Sequence, residues 1–362
     1  MAANLETDGI DRLWAVVPAG GAGTRLWPLS RAGAPKFLHD LSGSGRSLIQ
    51  DTLDRLTPLV GDRVVVVTGA AHEAAVRDQL GQTVRVVAEP SPRDSMAAIG
   101  LAAAQLERED PEALIGSFAA DHVITDQDGF ARCVREAAAV AATGLLVTIG
   151  IEPTGPATGF GYIRSADLLD GFATARAVTE FVEKPDAERA RAYVASGDYR
   201  WNGGMFVVRA STLLDLLALE HPDLAAGLRS IAREPETLAE RWPGLTRIAI
   251  DHAVAEPAAA AGKVAMVPGS FGWEDIGDFA SLGALSAASG ELGVIGDPVL
   301  VTALDASGLV VAAGGRQVVV VGLHDVVVVD TGDALLVTTY DRAQDVKAMV
   351  EELKRVGRAD LT

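Results

Sequence analysis

The chain alternates short apolar, β-branched runs with alanine-rich amphipathic stretches, and this alternation limits the fold more than any other feature. Strands are predicted in LWAVV, RVVVVTG and TVRVVAEP, and helices in SLIQDTLDRL, AAHEAAVRDQL and MAAIGLAAAQLER. Strands joined by helices build a buried, largely parallel sheet through right-handed crossovers. The pattern continues less regularly to about residue 276. It predicts an α/β fold with a Rossmann-like, doubly wound mixed sheet.

The pattern changes beyond about residue 289. Short valine-rich strands are separated by Gly and Asp turns there, and the next helical stretch is the amphipathic DRAQDVKAMVEELKRVG. Such a change of pattern is typical of a domain boundary. We therefore predict a flexible N-terminal tail at 1–11, a large α/β domain at 12–288 and a smaller β-rich domain with a terminal helix at 289–362.

Composition excludes several classes of function. With 49 acidic and 31 basic residues, the formal net charge is −18, which disfavours binding to nucleic acid because that binding depends on neutralising phosphates. The apolar runs are too short to cross a bilayer, and the acidic N-terminus does not resemble an export signal. We expect a cytoplasmic protein with no membrane partner. The single cysteine, Cys133, is predicted to be a buried apolar residue.

A glycine-rich turn with three cations follows the first predicted strand, in VVPAGGAGTRLWPLSRAGAPKFL at 16–38. In doubly wound folds, ligands bind at the carboxyl ends of the strands, and a glycine turn lets backbone N–H groups approach a phosphate. The turn alone is also compatible with a simple strand-to-helix connection. The cations Arg25 and Lys36 favour a bound polyphosphate. Arg31 ranks below them, with an ordinary surface cation as its alternative interpretation.

Two common glycine motifs do not fit this turn. A Walker loop requires Gly-Lys followed by Ser or Thr, where this chain has Gly23, Thr24 and Arg25. A dinucleotide-binding fingerprint that starts at Gly21 requires a third glycine where Leu26 stands. The sequence therefore favours neither an ATPase switch nor a dehydrogenase.

The same string resembles the signature of the sugar-1-phosphate nucleotidylyltransferases, G-G-x-G-T-R-L followed about ten residues later by P-K. Its Trp-Pro-Leu-Ser continuation is similar to the mannose-1-phosphate guanylyltransferases of that family. Further matching strings occur in the family's order: EPSPRDSMAAIGLAA, AADHVI, TGFGYI, FVEKP, WNGGMF, FGWEDIG and VVVVDTGDALLVTTYDRAQDVK. The resemblance covers the chain from residue 14 to about residue 357.

The resemblance implies an enzyme that transfers a guanylyl group from GTP to α-D-mannose 1-phosphate, giving GDP-mannose and pyrophosphate by Mg²⁺-assisted in-line attack. Two other interpretations stay open. One is a nucleotidylyltransferase for a different base or sugar. The other is a non-catalytic, sugar-nucleotide-binding regulatory homologue, which would be expected to lack some of the phosphate and metal residues; here all four are present: Arg25, Lys36, Asp121 and Asp275.

The resemblance also implies which residues handle the phosphates. Arg25 and Lys36 would act as catalytic residues that steady the triphosphate and the departing pyrophosphate. The turn residues around them would contact the nucleotide, partly through their backbone: Gly20, Gly21, Gly23 and Thr24.

Two aspartates would hold the metal cofactor and count among the catalytic residues. Asp121 follows an apolar strand in SFAADHVI, and Asp275 lies in FGWEDIG. Carboxylate oxygens suit the hard Mg²⁺ ion. A lone aspartate such as Asp121 is more often a helix cap or turn residue, and only its place in the ordered motifs favours a metal ligand. Glu274 is interpreted as a bystander and His122 as structural.

The sugar would be bound by residues of three motifs. Glu183 in FVEKP would accept hydrogen bonds from hydroxyl groups, and Lys184 would bind the sugar's phosphate, with the two side chains on opposite faces if the strand stays regular. From the dipeptide alone, a surface ion pair is the competing interpretation. Gly161 would let the backbone approach the pyranose, and Asn202 would add an amide contact. Gly203 departs from the family's usual Trp-Asn-Ser-Gly.

The base would be bound by Glu89 and Arg93. Guanine offers two neighbouring donors that one carboxylate can accept, whereas adenine offers a donor and an acceptor. This chain has RDSMA at 93–97 where the family commonly has Arg-Asn-Thr-Ala-Pro, so a Glu89 that faces solvent is the alternative. Finally, the valine-rich strands of the last domain have edges that need covering, either by a second copy of the chain or by packing on the large domain, and a homodimer is expected.

Overall fold

The computed structural model describes residues 9–21, 23–287 and 290–362. The chain divides into two compact units. The first contains Leu53–Ala119, Ile124–Trp273 and the described residues up to Ala19; the second contains Gly20–Thr52, Ala120–Val123 and Glu274–Thr362.

The predicted domain limits stay predictions. Residues 1–8 of the predicted tail 1–11 lie outside the described residues, as do the residues at the predicted boundary between 12–288 and 289–362, Ala288 and Ser289. Within the described ranges, no helix is long and apolar enough to cross a membrane.

The first unit is built on a nine-stranded mixed sheet. The first eleven strands of the chain are β1 (Leu13–Ala19), β2 (Val64–Gly69), β3 (Arg85–Glu89), β4 (Leu114–Ser117), β5 (Val123–Ile124), β6 (Leu146–Ile151), β7 (Tyr162–Leu168), β8 (Arg176–Val182), β9 (Tyr199–Arg209), β10 (Val264–Gly269) and β11 (Trp273–Glu274). The short strands β5 and β11 pair with each other, and the other nine form one sheet in the order β3-β2-β1-β4-β9-β6-β10-β8-β7.

Helices connect these strands. They are α1 (Leu48–Val60), α2 (Glu73–Leu80), α3 (Asp94–Glu109), α4 (Gln127–Ala141), α5 (Ala187–Ser196), α6 (Ala210–Glu220), α7 (Pro222–Arg233), α8 (Leu238–Arg241) and α9 (Glu256–Ala260), with a π-helical turn at Asp251–Ala255. Because α1, α2 and α3 each separate successive strands, β3, β2, β1 and β4 run parallel. Beyond β4, strands β9 and β8 run opposite to the parallel strands, and β7 pairs antiparallel with both of them, so the sheet is mixed. The predicted α/β fold is confirmed.

The core of the first unit surrounds α3, which is buried along most of its length from Met96 to Leu106. Its small alanine side chains allow α6 and α7 to pack closely against it. The other side of the core is formed by β-branched residues of the central strands, such as Val16 and Val65. This packing fixes the ends of the strands, where several of the predicted site residues lie.

The second unit is a coil of short strands closed by helices. Its elements are α10 (Phe279–Ser286), β12 (Leu292–Gly296), β13 (Val301–Leu304), β14 (Gly308–Ala312), β15 (Val318–Val321), β16 (Val326–Asp330), β17 (Leu335–Thr339) and α11 (Val346–Arg355). The parallel neighbours β12, β14 and β16 form one side of the coil and the parallel pair β13 and β15 the other. Strand β17 closes the first side antiparallel to β16.

Two apolar clusters bury β14 and β16 on both faces. Leu309 and Val327 pack with Val346 and Val350 of α11, whereas Val310 and Val328 pack inside the coil with Val320. Strands that are buried on both faces have continuous apolar runs instead of alternating ones. This explains the continuous apolar runs of β14 and β16.

Candidate active site

Three loops of the second unit carry the predicted phosphate and metal residues, and buried neighbours fix each loop. Leu26 follows Arg25 and Ile276 follows Asp275, and both apolar side chains belong to the same buried cluster. Lys36 is followed by Phe37, which is 1% exposed. Polar residues that adjoin such anchors are held in place by the hydrophobic core.

Lys36 joins the three loops. Its ammonium lies 2.8 Å from Oδ2 of Asp121 and donates a hydrogen bond to the backbone carbonyl oxygen of Asp275. The Lys36 side chain is only 8% exposed, whereas that of Asp121 is 31% exposed. The structure therefore brings together Lys36, Asp121 and Asp275, residues that are up to 239 positions apart in the sequence.

The two carboxylates of this group differ in their electrostatics. Burial acts to raise the pKa of Asp121, but the charge of Lys36, with that of His122, outweighs burial and holds this pKa below its usual range. Burial raises the pKa of Asp275; Lys36 acts against this rise, and the negative charge of Asp121 adds to it. Burial and the charge of Asp275 also raise the pKa of Glu274 to about 7. The Lys36 ammonium thus favours the ionised form of both aspartates.

A cavity of about 150 Å³ lies at this group. Its lining includes Gly23, Arg25, His122 and the three residues joined by Lys36. Gly23 has a positive φ of 59°, and a Cβ atom there would lie 2.9 Å from Cβ of Lys36. A glycine is therefore required where the turn passes Lys36. Gly20 and Gly21 are exposed, and a Cβ atom at either would meet no described atom within 4 Å.

The two carboxylates fit a magnesium ion whose coordination is completed by a bound ligand. Within residues 9–21, 23–287 and 290–362, no group of three or more His, Cys, Asp and Glu side chains is arranged to hold a metal. Mg²⁺ is commonly held by one or two carboxylates together with waters and substrate phosphates. Asp121 and Asp275 provide two such carboxylates. Burial is the main cause of the raised pKa of Asp275 and the charge of Asp121 adds to it, and a nearby cation would oppose both effects.

The two arginines of the glycine-rich turn have different surroundings. Arg25 is exposed and makes a long, 3.4 Å contact from Nη1 to Oε1 of Gln344. Arg31 forms two 2.7 Å hydrogen bonds with the carboxylate of Asp333 and a third with Thr331. Arg31 therefore connects the turn to the β-rich part of the second unit, whereas the Arg25 guanidinium lines the cavity.

The first unit carries the predicted sugar residues. Strand β8 ends at Val182, and Lys184 has a positive φ of 46°. The strand therefore does not continue regularly through the pair, so the condition for placing the two side chains on opposite faces is not met. Instead the Lys184 ammonium contacts the Glu183 carboxylate. The Lys184 side chain is 62% exposed, whereas that of Glu183 is 7% exposed.

Gly161 and Asn202 lie beside this pair. A Cβ atom at Gly161 would lie 2.6 Å from Oε2 of Glu183 and 3.3 Å from Cβ of Asn202. The absence of a side chain at Gly161 therefore leaves space in front of Glu183. The family departure at Gly203 also has a local reason, because a Cβ atom there would lie only 3.0–3.2 Å from side-chain atoms of Met205 and Ile151.

Sequence reasoning missed Asp251 and Glu256. Asp251 accepts a 2.8 Å hydrogen bond from Nδ2 of Asn202, and Glu256 accepts a 3.0 Å hydrogen bond from the backbone N–H of Glu183. Burial, and then the charge of Glu183, raise the pKa of Asp251 to about 6. The string IDHAVAEP contains no glycine turn or strand end, so its only sequence signal is acidic residues next to apolar ones.

Glu89 is half-buried at the end of β3. Burial, and then the charge of Asp94, raise the pKa of Glu89 to about 7. Its Oε1 atom is buried without a hydrogen-bond partner among the described residues, which is a costly arrangement unless a ligand supplies a donor. Oε1 therefore does not face solvent, and the alternative of a solvent-facing Glu89 is wrong for this oxygen. Arg93, by contrast, donates hydrogen bonds to the backbone carbonyls of Trp242 and Pro243.

Comparison with known proteins identifies the family. Residues 14–290 match the family described as Nucleotidyl transferase. The chain belongs to this family. Residues 300–353 match the MannoseP isomerase/GMP-like beta-helix domain, in agreement with the coil of parallel strands. The resemblance to the sugar-1-phosphate nucleotidylyltransferases is thereby confirmed.

Similar relatives of this nucleotidyl transferase align over nearly the whole chain. Mannose-1-phosphate guanylyltransferase of Escherichia coli K12 is 39% identical over 368 residues, which are 96% of this chain and 74% of the relative. Xanthan biosynthesis protein XanB of Xanthomonas campestris pv. campestris is 37% identical, with the same coverage. A solved structure from Thermus thermophilus, described as mannose-1-phosphate geranyltransferase, has a TM-score of 0.84 and 31% identity and covers 95% of this chain and 99% of its own.

Proposed function

We propose that this nucleotidyl transferase is a mannose-1-phosphate guanylyltransferase. The observation that carries the proposal is the 39% identity, over 96% of the chain, with a relative of that name. In the reaction, a phosphate oxygen of mannose 1-phosphate attacks the α-phosphorus of GTP. The bond from the α-phosphorus to the bridging oxygen of the β-phosphate breaks, and pyrophosphate leaves with that oxygen. GDP-mannose is the other product.

The residues of the second unit neutralise and position the phosphates. Catalysis of phosphoryl-type transfer consists mainly of positioning and charge stabilisation, with little covalent chemistry. Lys36 is fixed by Asp121 and by the Asp275 carbonyl, so its ammonium is pre-organised before substrate binds. Arg25 is exposed at the same cavity and binds the departing pyrophosphate, while the turn of Gly20, Gly21, Gly23 and Thr24 contacts the nucleotide.

Asp121 and Asp275 would hold Mg²⁺. When bound, the ion would supply positive charge to the transferring phosphoryl group. The chain contributes the two carboxylates and keeps Lys36 beside them. A sugar phosphate is already anionic, so no side chain is needed as a general base. A carboxylate with a low pKa is a poor base, and the pKa of Asp121 is held low, so this side chain stays ionised.

The residues of the first unit select the two substrates. Glu183 accepts hydrogen bonds from sugar hydroxyls, Lys184 binds the sugar's phosphate, and Gly161 leaves space for the ring. Glu89 accepts the two neighbouring donors of guanine, which gives its unpartnered buried oxygen a ligand. Arg93 contributes to nucleotide binding indirectly: its guanidinium donates a hydrogen bond to the backbone carbonyl of Trp242 and so fixes the loop there.

A pyrophosphate-release assay with Mg²⁺ tests this function. Four nucleoside triphosphates are crossed with mannose, glucose and fucose 1-phosphates. GTP with mannose 1-phosphate should give the highest kcat/KM. Faster turnover of UTP or dTTP with glucose 1-phosphate would replace the proposal by a different nucleotidylyltransferase, and binding without turnover for every pair would favour the regulatory homologue.

We further propose a homodimer that covers the outer side of the β13 and β15 pair. Leu304 is 68% exposed, and Val319 and Val321 are 62% and 58% exposed; Leu304 and Val321 are direct neighbours in the parallel register. In a chain with net charge −18, an uncharged patch is where two copies approach with the least repulsion. Light scattering should give twice the chain mass, and Val319→Glu with Val321→Glu should give the single mass.

A further inference from the structure

We propose that Asp251 and Glu256 are positioning residues that orient the sugar-phosphate-binding side chains Asn202, Glu183 and Lys184. This inference rests on the proposed function and concerns the side of the reaction that binds the sugar 1-phosphate. It assigns a role to a segment, the π-helical turn Asp251–Ala255 with the first residue of α9, that the sequence motifs leave without one.

Asp251 fixes the orientation of the Asn202 amide. Oδ1 of Asn202 accepts hydrogen bonds from the hydroxyl of Thr148, at 2.8 Å, and from the backbone N–H of Gly204, at 3.2 Å. A backbone N–H can only donate and an ionised carboxylate can only accept, so these partners determine which end of the amide is oxygen. The Nδ2 group then donates one hydrogen to Asp251.

The consequence for a bound sugar is specific. The Asn202 oxygen already has two partners, and one of the two Nδ2 hydrogens is used by Asp251. Asn202 can therefore offer a ligand a single N–H donor in a fixed direction. Without Asp251, the Nδ2 group of this 6%-exposed side chain would lose that acceptor, and the amide would be freer to turn about its last torsion.

Glu256 fixes the backbone at the point where β8 ends. Its Oε1 accepts the N–H of Glu183, and its Oε2 lies 2.9 Å from Nδ1 of His252. The next residue, Lys184, has a left-handed conformation with φ of 46°, which an L-residue adopts only when its surroundings enforce it. The bond from Glu183 to Glu256 is one of the contacts that hold this bend and hence the direction of both side chains.

The π-helical turn explains how one segment supplies both carboxylates. Residues five apart in a regular α-helix are turned by about 140° from each other, so Asp251 and Glu256 would then face different directions. Bonds of the i→i+5 type bring residues five apart nearly into line, and π-turns are frequent at functional sites. The turn itself is anchored in the core by Ala253 and Val254, which are at most 1% exposed.

Electrostatics couple the segment to the sugar-phosphate clamp. The charges of Glu183 and Asp251 both act on the Lys184 ammonium. These two carboxylates, together with Asp94, thus attract one exposed ammonium until the phosphate of the sugar arrives. A dianionic phosphate competes well for an ammonium that is 62% exposed.

The experiment is a set of substitutions measured with both substrates varied. Asp251→Ala should raise the KM for the sugar 1-phosphate about tenfold, the usual effect of losing one hydrogen bond at a binding group, while the KM for GTP changes less than about twofold. Asp251→Asn keeps a carbonyl acceptor for Asn202 and should recover part of the loss. Glu256→Gln should likewise be milder than Glu256→Ala.

A double-mutant cycle separates positioning from a general structural defect. Asn202→Ala and Asp251→Ala should each raise the same KM, and the double variant should be scarcely worse than Asn202→Ala, because the two residues act as a unit. Asp170→Ala, which removes an exposed carboxylate of the same unit, is the matched control and should leave all constants unchanged. Thermal unfolding of each variant shows whether it is folded.

The outcomes separate this inference from the proposed function. The sugar 1-phosphate that the wild-type protein turns over fastest is used, whichever it is, and titration calorimetry of sugar phosphates serves if none is turned over. Equal increases in both KM values, multiplicative losses in the cycle, or an unchanged sugar KM in folded Asp251→Ala would overturn the positioning role while leaving the activity in place. A wild-type protein that neither turns over nor binds any sugar phosphate would overturn both.

Discussion

Each unit carries a site lysine that is paired with a carboxylate, and the two pairs are built in opposite ways. In the second unit the Lys36 side chain is 8% exposed and its partner Asp121 is 31% exposed. In the first unit the Lys184 side chain is 62% exposed and its partner Glu183 is 7% exposed. The cation is the buried member of one pair and the exposed member of the other.

This difference separates two ways of using a lysine in a binding site. A buried lysine that bonds to a side chain and a backbone carbonyl, as Lys36 does, is a fixed positive charge between two acidic residues. An exposed lysine such as Lys184, attached to a buried acid, can move to a phosphate at small entropic cost because only its own rotamers change. The first arrangement suits the transferring phosphoryl group, and the second suits a substrate that enters and leaves.

The largest expected effect concerns the carboxylates beside the fixed lysine. Asp121→Asn and Asp275→Asn should each lower kcat by on the order of 10²–10³-fold, the scale of removing one charge-stabilising group from a transition state. The double variant should be scarcely worse than either single variant, because both residues would serve one ion. Pyrophosphate release at several Mg²⁺ concentrations measures this.

The control for that prediction is Asp360→Asn, which changes an exposed carboxylate of the same unit and should be silent. Circular dichroism should show that the variants are folded. Losses that multiply in the double variant, or full activity after EDTA treatment without added metal, would show that the two aspartates do not share an ion.

The second prediction concerns stability. A buried lysine is usually expected to contribute more to the free energy of unfolding than an exposed one, and here we expect the reverse. Lys184→Met leaves the buried Glu183 carboxylate without its ammonium and should lower the free energy of unfolding by about 3 kcal/mol. Lys36→Met leaves Asp121, which can be hydrated, and should cost only about 1 kcal/mol. Urea unfolding at pH 8 measures both.

A larger loss for Lys36→Met than for Lys184→Met at pH 8 would mean that exposure of the remaining partner does not control the cost.

The sequence predicts the fold class well because the strand and helix patterns are local. It cannot distinguish two identical runs of four valines, Val318–Val321 in β15 and the run at 326–329 in β16. The first is exposed at Val319 and Val321, whereas the second is buried at every position. The difference arises because α11 and the loop before it cover the β16 side of the coil, a contact made by residues far along the chain.

The site shows the same limit. Motif order is enough to nominate Lys36, Asp121 and Asp275, which the fold then brings together. It gives no indication of Asp251, because the signal is a hydrogen bond to an amide 49 residues away, and neighbours of that kind depend on strand pairing. Nor does it reveal that Lys184 turns back to Glu183, which depends on a left-handed backbone conformation.

The third prediction tests whether the exposed lysine, Lys184, binds the phosphate of the sugar. Lys184→Ala should raise the KM for mannose 1-phosphate by between about tenfold and a hundredfold, the range for a lost hydrogen bond to a charged group, with a much smaller change in the KM for GTP. Arg25→Ala should instead lower kcat, because Arg25 is proposed to meet charge on the leaving pyrophosphate. Lys263→Ala, at an exposed lysine of the first unit, is the control. Reversed effects would mean that the two cations serve the opposite phosphates.

The smallest expected effect concerns Glu89, a half-buried acid at the end of β3. Burial, and then Asp94, raise its pKa to about 7, above the usual value for a glutamate, so the folded protein binds this proton more tightly than the unfolded chain does. The free energy of unfolding should therefore fall as the pH rises from about 4.5 to about 7. Glu89→Gln lacks this loss and should gain stability relative to the wild type over the same window.

The affinity for guanine should instead increase as the pH rises, because a carboxylate must be ionised to accept hydrogen bonds from two donors. With a pKa of about 7, the ionised share of Glu89 rises from about one-tenth at pH 6 to about nine-tenths at pH 8. The KM for GTP should accordingly be up to about ninefold higher at pH 6 than at pH 8. Titration of GTP itself also changes the KM for GTP with pH, and that part should remain in Glu89→Gln. The rest of the pH dependence should disappear in this variant, together with most of the preference for GTP over ATP. An unchanged pH profile and an unchanged preference in that variant would remove Glu89 from the base site, and the unpartnered oxygen would then be a cost of the fold that guanine does not relieve.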